Sequence, residues 1–416
     1  MRTKSLCQMR LLGALAALLP ALAAATAEAA DCTTLPKPVF IAGSSAVKPF
    51  LAGVAAELSA IADPVTVVYV NGKGSCDGVN YMIPATTTLA TGTVSIWSKG
   101  TDGKPVEASG GCDLPTAGIT VDIGVSDVFA TTCPNVSGLP ATLKDFLGPI
   151  QTMTFVVPKK STQPSISAEA AYLTFGLGAA GETPWTDVTK MYIRPPSSGT
   201  IQMLATAINV PAAKWSGNKF KTDGVTSAGS GDVLAYLNAL QSTGTQGDAD
   251  LGIGILSTDV LDKNRATIRA LPYQHYGQSC GYLPDSTDTS ADKQNTRDGH
   301  YMVWGPLHMI TPVTAGQPSK ASAKVVIDYL TGAVVPEFDL IDTEAKLGVV
   351  PDCAMRVSRD SEVGPLSSYM PPMSCQCKFV ASATGNPVPD GCMACLTAND
   401  CTAAAPACNY GYCEVR

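Results

Sequence analysis

The chain is poor in histidine, which limits the chemistry it can perform. It has three histidines, His275, His300 and His308, and none stands at the His-x-x-x-His or Glu-x-x-His spacing typical of zinc enzymes. A serine triad also needs a histidine base, and three histidines without such a context offer little material for one. We therefore predict that the protein is not an enzyme and has no catalytic metal or cofactor.

A basic excess and a late hydrophobic run are missing as well. The sequence has 28 Lys and Arg against 35 Asp and Glu, a net charge of −7, and such a surface argues against nucleic acid as a partner. No apolar run of membrane length follows the first thirty residues. With 45% hydrophobic and 15% charged residues, the composition is that of a globular protein. A small anion remains possible as a ligand, because a local pocket of dipoles can oppose the global charge.

The start of the chain has the pattern of a signal peptide. Basic residues within the first ten positions precede the apolar run "LLGALAALLPALAAA", and small-x-small signals follow at residues 27–29 and 25–27. We predict a signal peptide over residues 1–29 and a periplasmic or secreted mature protein. A lipid anchor is disfavoured, because Cys32 follows Asp31 where a lipid-attachment signal would have a small residue.

The cysteines predict disulfides in an exported chain. Of fourteen cysteines, seven lie between Cys375 and Cys413. Outside the signal peptide their number is odd, so one is expected to stay unpaired within the chain. The pairs Cys76–Cys112 and Cys280–Cys353 are our guesses for the body of the protein. Zinc binding by the closely spaced tail cysteines would suit a reducing cell and is disfavoured here.

The middle of the chain alternates strands and helices. "PVFIA", "VTVVYV", "ITVDIGV", "TMTFVVP" and "LGIGILS" predict buried strands, and "VKPFLAGVAAELSAI" places six apolar residues on one helical stripe. Residues 86–115 are rich in Thr, Gly and Ser, which predicts a hairpin or surface insertion. The pattern indicates an α/β fold with mostly parallel sheets.

Four strand-to-helix turns carry hydroxyl or charged groups: "AGSSAVKPF" (42–50), "NGKGSCDGVNYM" (71–82), "DIGVSDVFA" (122–130) and "RPPSSGT" (194–200). In α/β sheets, ligands bind beyond the carboxyl ends of strands, so all four turns can face one cleft. Helix N-termini attract anions, and an arginine adds a two-pronged charged contact. Each turn alone is more often an ordinary helix cap. Together they predict a site for a tetrahedral oxyanion.

The order GSS, GKGS, GVSD and R-x3-SGT resembles the phosphate-binding proteins of bacterial phosphate ABC importers, which are type II periplasmic binding proteins. The resemblance spans roughly 38–350 and includes "FGLGAAGETPWTDVTKMYIRPPSSGT" and "SGDVLAYL". The residues expected to bind the anion are Ser44, Ser45, Ala46, Val47, Ser75, Asp127, Arg194, Ser198, Gly199 and Thr200. The first loop departs from the family where Ala46, Val47 and Lys48 replace a hydroxyl or aromatic residue. There we expect contacts from the Ser45 hydroxyl and the backbone N–H groups of Ala46 and Val47.

The resemblance implies a two-lobed binding protein, each lobe a mostly parallel sheet flanked by helices, with a small disulfide-rich C-terminal tail. Lobe 1 is expected over 30–130 and 300–360, lobe 2 over 131–299, and the tail over 364–416. The implied function is capture of an oxyanion, above all inorganic phosphate, by a monomer that delivers it to an inner-membrane ABC permease. The alternative is an extracellular interaction protein with an altered pocket and an attachment tail.

One segment of the chain matches an enzyme motif. "GQSCG" (277–281) matches the G-x-S-x-G nucleophile elbow, but no buried strand precedes it and the following "YLPDSTD" reads as a loop. We interpret Cys280 in this segment as half of a disulfide.

Overall fold

The computed structural model describes residues 30–70, 74–83, 90–92, 94–332 and 338–416. The predicted signal peptide, residues 1–29, lies outside these residues, as do 71–73 of the second turn and 86–89 and 93 of the predicted insertion. Within the described part of the chain, no helix combines the length and apolar character needed to cross a membrane.

Helices flank the sheet on both sides. In chain order they are α1 (Lys48–Ala60), α2 (Ser75–Met82), α3 (Ala168–Leu177), α4 (Gly199–Ile208), α5 (Ser230–Ser242), α6 (Gln246–Leu251), α7 (Thr258–Lys263), α8 (Gln294–Arg297), α9 (Ala321–Leu330), α10 (Leu340–Leu347) and α11 (Gln376–Thr384).

The strands vary from two to sixteen residues. They are β1 (Val39–Gly43), β2 (Val67–Val70), β3 (Val94–Ser95), β4 (Trp97–Lys99), β5 (Pro105–Glu107), β6 (Ile123–Ser126), β7 (Leu143–Pro158), β8 (Ile166–Ser167), β9 (Met191–Tyr192), β10 (Ile253–Ser257), β11 (Ile268–Ala270), β12 (Tyr273–Gln274), β13 (Trp304–Thr314), β14 (Gln317–Pro318), β15 (Val357–Ser358), β16 (Ser367–Ser368), β17 (Ala407–Asn409) and β18 (Tyr412–Glu414).

The main sheet has the order β3-β2-β1-β6-β13-β7-β10-β9, with β11 and β14 paired beside it. The predicted α/β class is confirmed, but the sheet is mixed where mostly parallel strands were expected. β1 runs parallel to both β2 and β6, and β9 runs parallel to β10. The long strand β13 runs antiparallel to β6 and β7, because the chain returns through the middle of the sheet late in the sequence.

The parallel strands explain why the predicted turns meet. β1 ends at Gly43, β2 at Val70 and β6 at Ser126, and these three strands are neighbours in the order β2-β1-β6. Their carboxyl ends therefore share one edge of the sheet, from which α1 and α2 also begin. This edge carries Ser44, Ser75 and Asp127.

The apolar stripe predicted for the first helix is confirmed. Val47, Phe50, Leu51, Val54 and Leu58 are fully or almost fully buried, in a cluster that also contains residues of β1, β2 and α9. Burial of such side chains contributes about 1.5–3 kcal/mol each, which fixes the helix on the sheet. The N-terminus of α1 is thereby held at the edge that carries the predicted site.

The predicted insertion contains a hairpin formed by β4 and β5. Lys48 at the start of α1 forms an ion pair with Glu107 of this hairpin, with 3.0 Å between Nζ and Oε1. The lysine of the atypical first loop is thus directed toward the hairpin.

Six disulfides crosslink the described chain, and both guessed pairings are wrong. The bonds are Cys32–Cys112, Cys76–Cys133, Cys353–Cys375, Cys377–Cys392, Cys395–Cys408 and Cys401–Cys413. Cys280, which we interpreted as half of a disulfide, is free and exposed. The tail is confirmed as a small disulfide-rich unit built on α11 and the β17–β18 hairpin, and Cys353–Cys375 ties it to the body.

Candidate functional site

Direct contacts join Ser44 and Ser75 to Asp127, and Ser45 to Arg194, among the ten predicted ligand residues. Nine of them are buried and Ser45 is half-buried. The side chains of Ser44, Ser75 and Asp127 come from the shared edge of β1, β2 and β6, while Arg194 follows β9, the last strand in the sheet order. Ser198 is the N-cap residue of α4, and Gly199 and Thr200 are its first two residues.

Asp127 is the centre of the arrangement and is only 1% exposed. The Ser44 hydroxyl lies 2.6 Å from both carboxylate oxygens, and the Ser75 hydroxyl donates to Oδ2 at 3.0 Å. The Asp127 backbone N–H in turn donates to Ser75 Oγ at 3.1 Å. Burial raises the pKa of Asp127, while the two serine hydroxyls and the charge of Arg194 act in the opposite direction.

Arg194 is 3% exposed, and its guanidinium connects three segments. It donates to the Ala228 carbonyl at 3.0 Å, to Ser230 Oγ at 2.6 Å and to Ser45 Oγ at 3.1 Å. Burial lowers the pKa of Arg194 to about 10, so the side chain is still cationic at neutral pH. The arginine thus supplies a fixed positive charge next to the loop that follows β1.

Two glycines let the turns approach each other closely. A Cβ atom on Gly199 would lie 2.6 Å from Asp127 Oδ2, and one on Gly74 would lie 2.8 Å from Ser198 Cα. The Cys76 N–H donates to the Ser197 carbonyl at 3.1 Å across the same junction. The start of α4 is therefore packed directly against the Asp127 carboxylate.

The first loop differs in detail from the prediction. The Ala46 N–H donates to Ser44 Oγ at 3.1 Å, so this N–H helps to orient the serine that binds Asp127. The Ser45 hydroxyl accepts from Arg194, and Val47 forms the N-cap of α1. Ser44 is the residue of this loop that contacts the carboxylate.

Sequence reasoning missed three groups near the site. The Tyr69 hydroxyl donates to the Ser44 carbonyl at 2.9 Å, Ser230 accepts from Arg194, and Glu362 Oε2 accepts from the Phe129 N–H at 3.2 Å. Ser230 begins α5 within the quoted motif "SGDVLAYL", which was a usable signal. Tyr69 and Glu362 have no local sequence signal for their roles, because each acts through a contact made by the fold.

The segments considered for other chemistry take different roles. "GQSCG" lies in turns, bends and irregular backbone shortly after the two-residue strand β12, and the next helix, α8, begins only at Gln294. The tail cysteines are held in disulfides, so their sulfurs are not thiolate ligands. His308 is fully buried, with Nδ1 2.6 Å from Asp145 Oδ2.

Comparisons with known proteins find distant structural similarity and identify no family for this chain. No family model and no curated protein matches the chain. A structure from Clostridium perfringens, described as a phosphate ABC transporter substrate-binding protein with bound phosphate, is 15% identical, with a TM-score of 0.48 over 76% of this chain and 99% of that one. An ABC-type phosphate transport receptor from Vibrio cholerae is 14% identical, with a TM-score of 0.43 over 75% and 99%.

A third match is the regulatory domain of OxyR from Pseudomonas aeruginosa, at 8% identity and a TM-score of 0.37, covering 70% of this chain and 95% of that one. The basis for a functional inference is the chemistry of the site itself, which combines a buried carboxylate, two serine hydroxyls, a buried arginine and a helix N-terminus.

Proposed function

We propose that the protein is an exported solute-binding protein that captures a protonated tetrahedral oxyanion, inorganic phosphate above all, and delivers it to an ABC importer. The observation that carries this proposal is the buried Asp127 carboxylate, contacted by Ser44 and Ser75 and packed against Gly199 at the start of α4. In this proposal lobe 1 comprises residues 30–130 and 300–360, and lobe 2 comprises residues 131–299. The ligand would be held between the two lobes.

The charge of the site favours an anion despite the carboxylate. Arg194 is a buried cation, and hydrogen bonds to charged groups contribute about 1.5–3 kcal/mol each. The N-termini of α1, α2 and α4 add partial positive charge near the site. The backbone N–H groups of Val47 and Thr200 would serve as donors to the anion, while that of Ala46 orients Ser44.

Asp127 sets which anion is accepted. An ionised carboxylate has about four lone-pair positions, and Ser44 and Ser75 leave capacity for one more donor. Hydrogenphosphate retains a proton that it can donate to this carboxylate, whereas sulfate has none at neutral pH. A site that requires a missing donor can reject the analogue by about 10⁴-fold or more. The site chemistry therefore favours phosphate over sulfate.

The interaction-protein alternative stays a prediction, and binding measurements separate it from the proposal. Arg194→Lys keeps the charge but loses the planar fork that reaches Ser45, Ser230 and the Ala228 carbonyl. We expect phosphate affinity to fall by roughly 100-fold or more in titration calorimetry, because the loss of two charge-assisted hydrogen bonds costs about 3 kcal/mol or more.

The matched control is Arg269→Lys, because Arg269 is an arginine that also donates to backbone carbonyls, those of Ser161 and Gln163. We expect it to leave phosphate affinity unchanged. A wild-type chain that does not bind phosphate would contradict the proposal, as would equal affinities of the wild type and Arg194→Lys.

A further inference from the structure

A cavity lies away from the proposed phosphate site, between the body and the tail. Its volume is about 820 Å³. Its walls include Leu330 at the end of α9, Ile341 of α10, and Met373 and Tyr410 of the tail. None of the ten predicted ligand residues is among the described residues that line it. The cavity is large enough for a small organic molecule.

The wall of this cavity contains an uncompensated carboxyl group. Glu344 on α10 is 2% exposed, and its Oε2 has no hydrogen-bond partner among the described residues. Burial raises the pKa of Glu344 well above its ordinary value, and the nearby negative charge of Asp352 acts in the same direction. An unpaired polar group at such a position is costly unless something pairs with it.

The other carboxylates that line the cavity have partners. Asp339 forms an ion pair with Lys378, 2.7 Å apart, and Asp352 accepts a hydrogen bond from the Tyr369 hydroxyl. The described lining residues include no Lys, Arg or His. Among its described residues, the cavity therefore combines apolar walls with an acidic group, Glu344, whose Oε2 has no hydrogen-bond partner. This combination is complementary to an apolar molecule with a cationic head.

We propose that this cavity binds an aliphatic amine in its ammonium form, with the alkyl chain against Leu340, Ile341 and Met373 and the ammonium paired with Glu344. A cation next to Glu344 favours the ionised carboxylate. Binding therefore lowers the pKa of Glu344, and the proton that the carboxyl group gives up goes to solvent. This site acts independently of phosphate binding.

The test compares octylammonium with 1-octanol by calorimetry on the full chain. At pH 7, in two buffers of different ionisation enthalpy, we expect octylammonium to bind at least tenfold more tightly than octanol and to release up to about one proton. Glu344→Gln should remove the proton release and reduce octylammonium affinity about tenfold or more, with octanol affinity unchanged. The matched control is Asp339→Asn, because Asp339 is a cavity carboxylate that already has a lysine partner. This variant should still release a proton when octylammonium binds.

Several results would overturn the proposal. They are the absence of octylammonium binding, equal affinities for octylammonium and octanol, and binding of octylammonium without proton release. Equal octylammonium affinities of the wild type and Glu344→Gln would also overturn it. Phosphate titration of the same samples reports on the other site, so failure here and failure of the proposed function are distinguishable.

Discussion

Glu362 connects the segment before the tail to the loop that carries Asp127. Its Oε2 accepts a hydrogen bond from the backbone N–H of Phe129, two residues beyond Asp127. Its Oε1 is shielded from solvent and has no hydrogen-bond partner among the described residues. Nearby, the Arg359 guanidinium lies 4.0 Å from the centre of the Trp304 ring. The Glu362 carboxyl group is therefore shielded from solvent at Oε1, although the residue as a whole is half-buried.

Burial raises the pKa of Glu362 from its ordinary value of 4.5 to about 7, against the favourable charges of His308 and Arg359. The folded protein therefore holds this proton more tightly than the unfolded chain does. Below pH 4.5 the group is protonated in both states and costs nothing. As the pH rises from 4.5 to 7, the folded state loses about 3 kcal/mol of stability through this one group.

Glu362→Gln removes the titration and retains a side-chain oxygen that can accept from Phe129. We expect the free energy of unfolding of the variant, relative to the wild type, to rise by about 3 kcal/mol between pH 4 and pH 8. Urea unfolding with intact disulfides, measured at intervals of half a pH unit, gives this difference. The matched control is Glu182→Gln, at an exposed glutamate, for which we expect a flat difference. A flat difference for Glu362→Gln would refute the reasoning.

Two further predictions concern packing and crosslinks. Gly199→Ala should weaken phosphate binding in calorimetry by roughly tenfold or more, because the new Cβ would lie 2.6 Å from Asp127 Oδ2. The control is Gly231→Ala, which has open space around its Cβ and should leave phosphate affinity unchanged. Equal effects of the two variants would contradict the close approach. Replacing both Cys353 and Cys375 by serine removes a disulfide that spans 22 residues, and should lower the free energy of unfolding by about 3 kcal/mol in chemical denaturation. The control is Cys280→Ser, at the free cysteine, which should change this free energy little. A neutral double variant would show that this disulfide does not stabilise the fold.

The individual helices and strands were predictable from sequence, because the spacing of apolar residues within each segment specifies them. The stripe from Val47 to Leu58 specifies α1, and the apolar runs specify the strands before Ser44 and Asp127. Since neighbouring parallel strands end at the same edge, placing the loops together required only the correct fold class. For this reason the convergence of Ser75 with Asp127 could be predicted as well.

The rest depended on pairings between distant segments. Cys76 bonds with Cys133 and Cys32 with Cys112, and spacing in the sequence does not select these partners from the alternatives. The antiparallel return of β13 makes the sheet mixed, and no local pattern in this strand reveals its direction. Which of Ser44 and Ser45 faces the carboxylate is decided by the backbone of the turn after β1, and both are serines.

The central claim is that Asp127 selects a ligand that still carries a proton. The most direct test is calorimetry of phosphate and sulfate with the wild type and Asp127→Asn at pH 8. We predict that the wild type binds phosphate more tightly than sulfate by roughly 100-fold or more, and that Asp127→Asn loses most of this preference, because an amide can donate to either anion. Equal affinities of the wild type for both anions, or an unchanged preference in Asp127→Asn, would contradict the account.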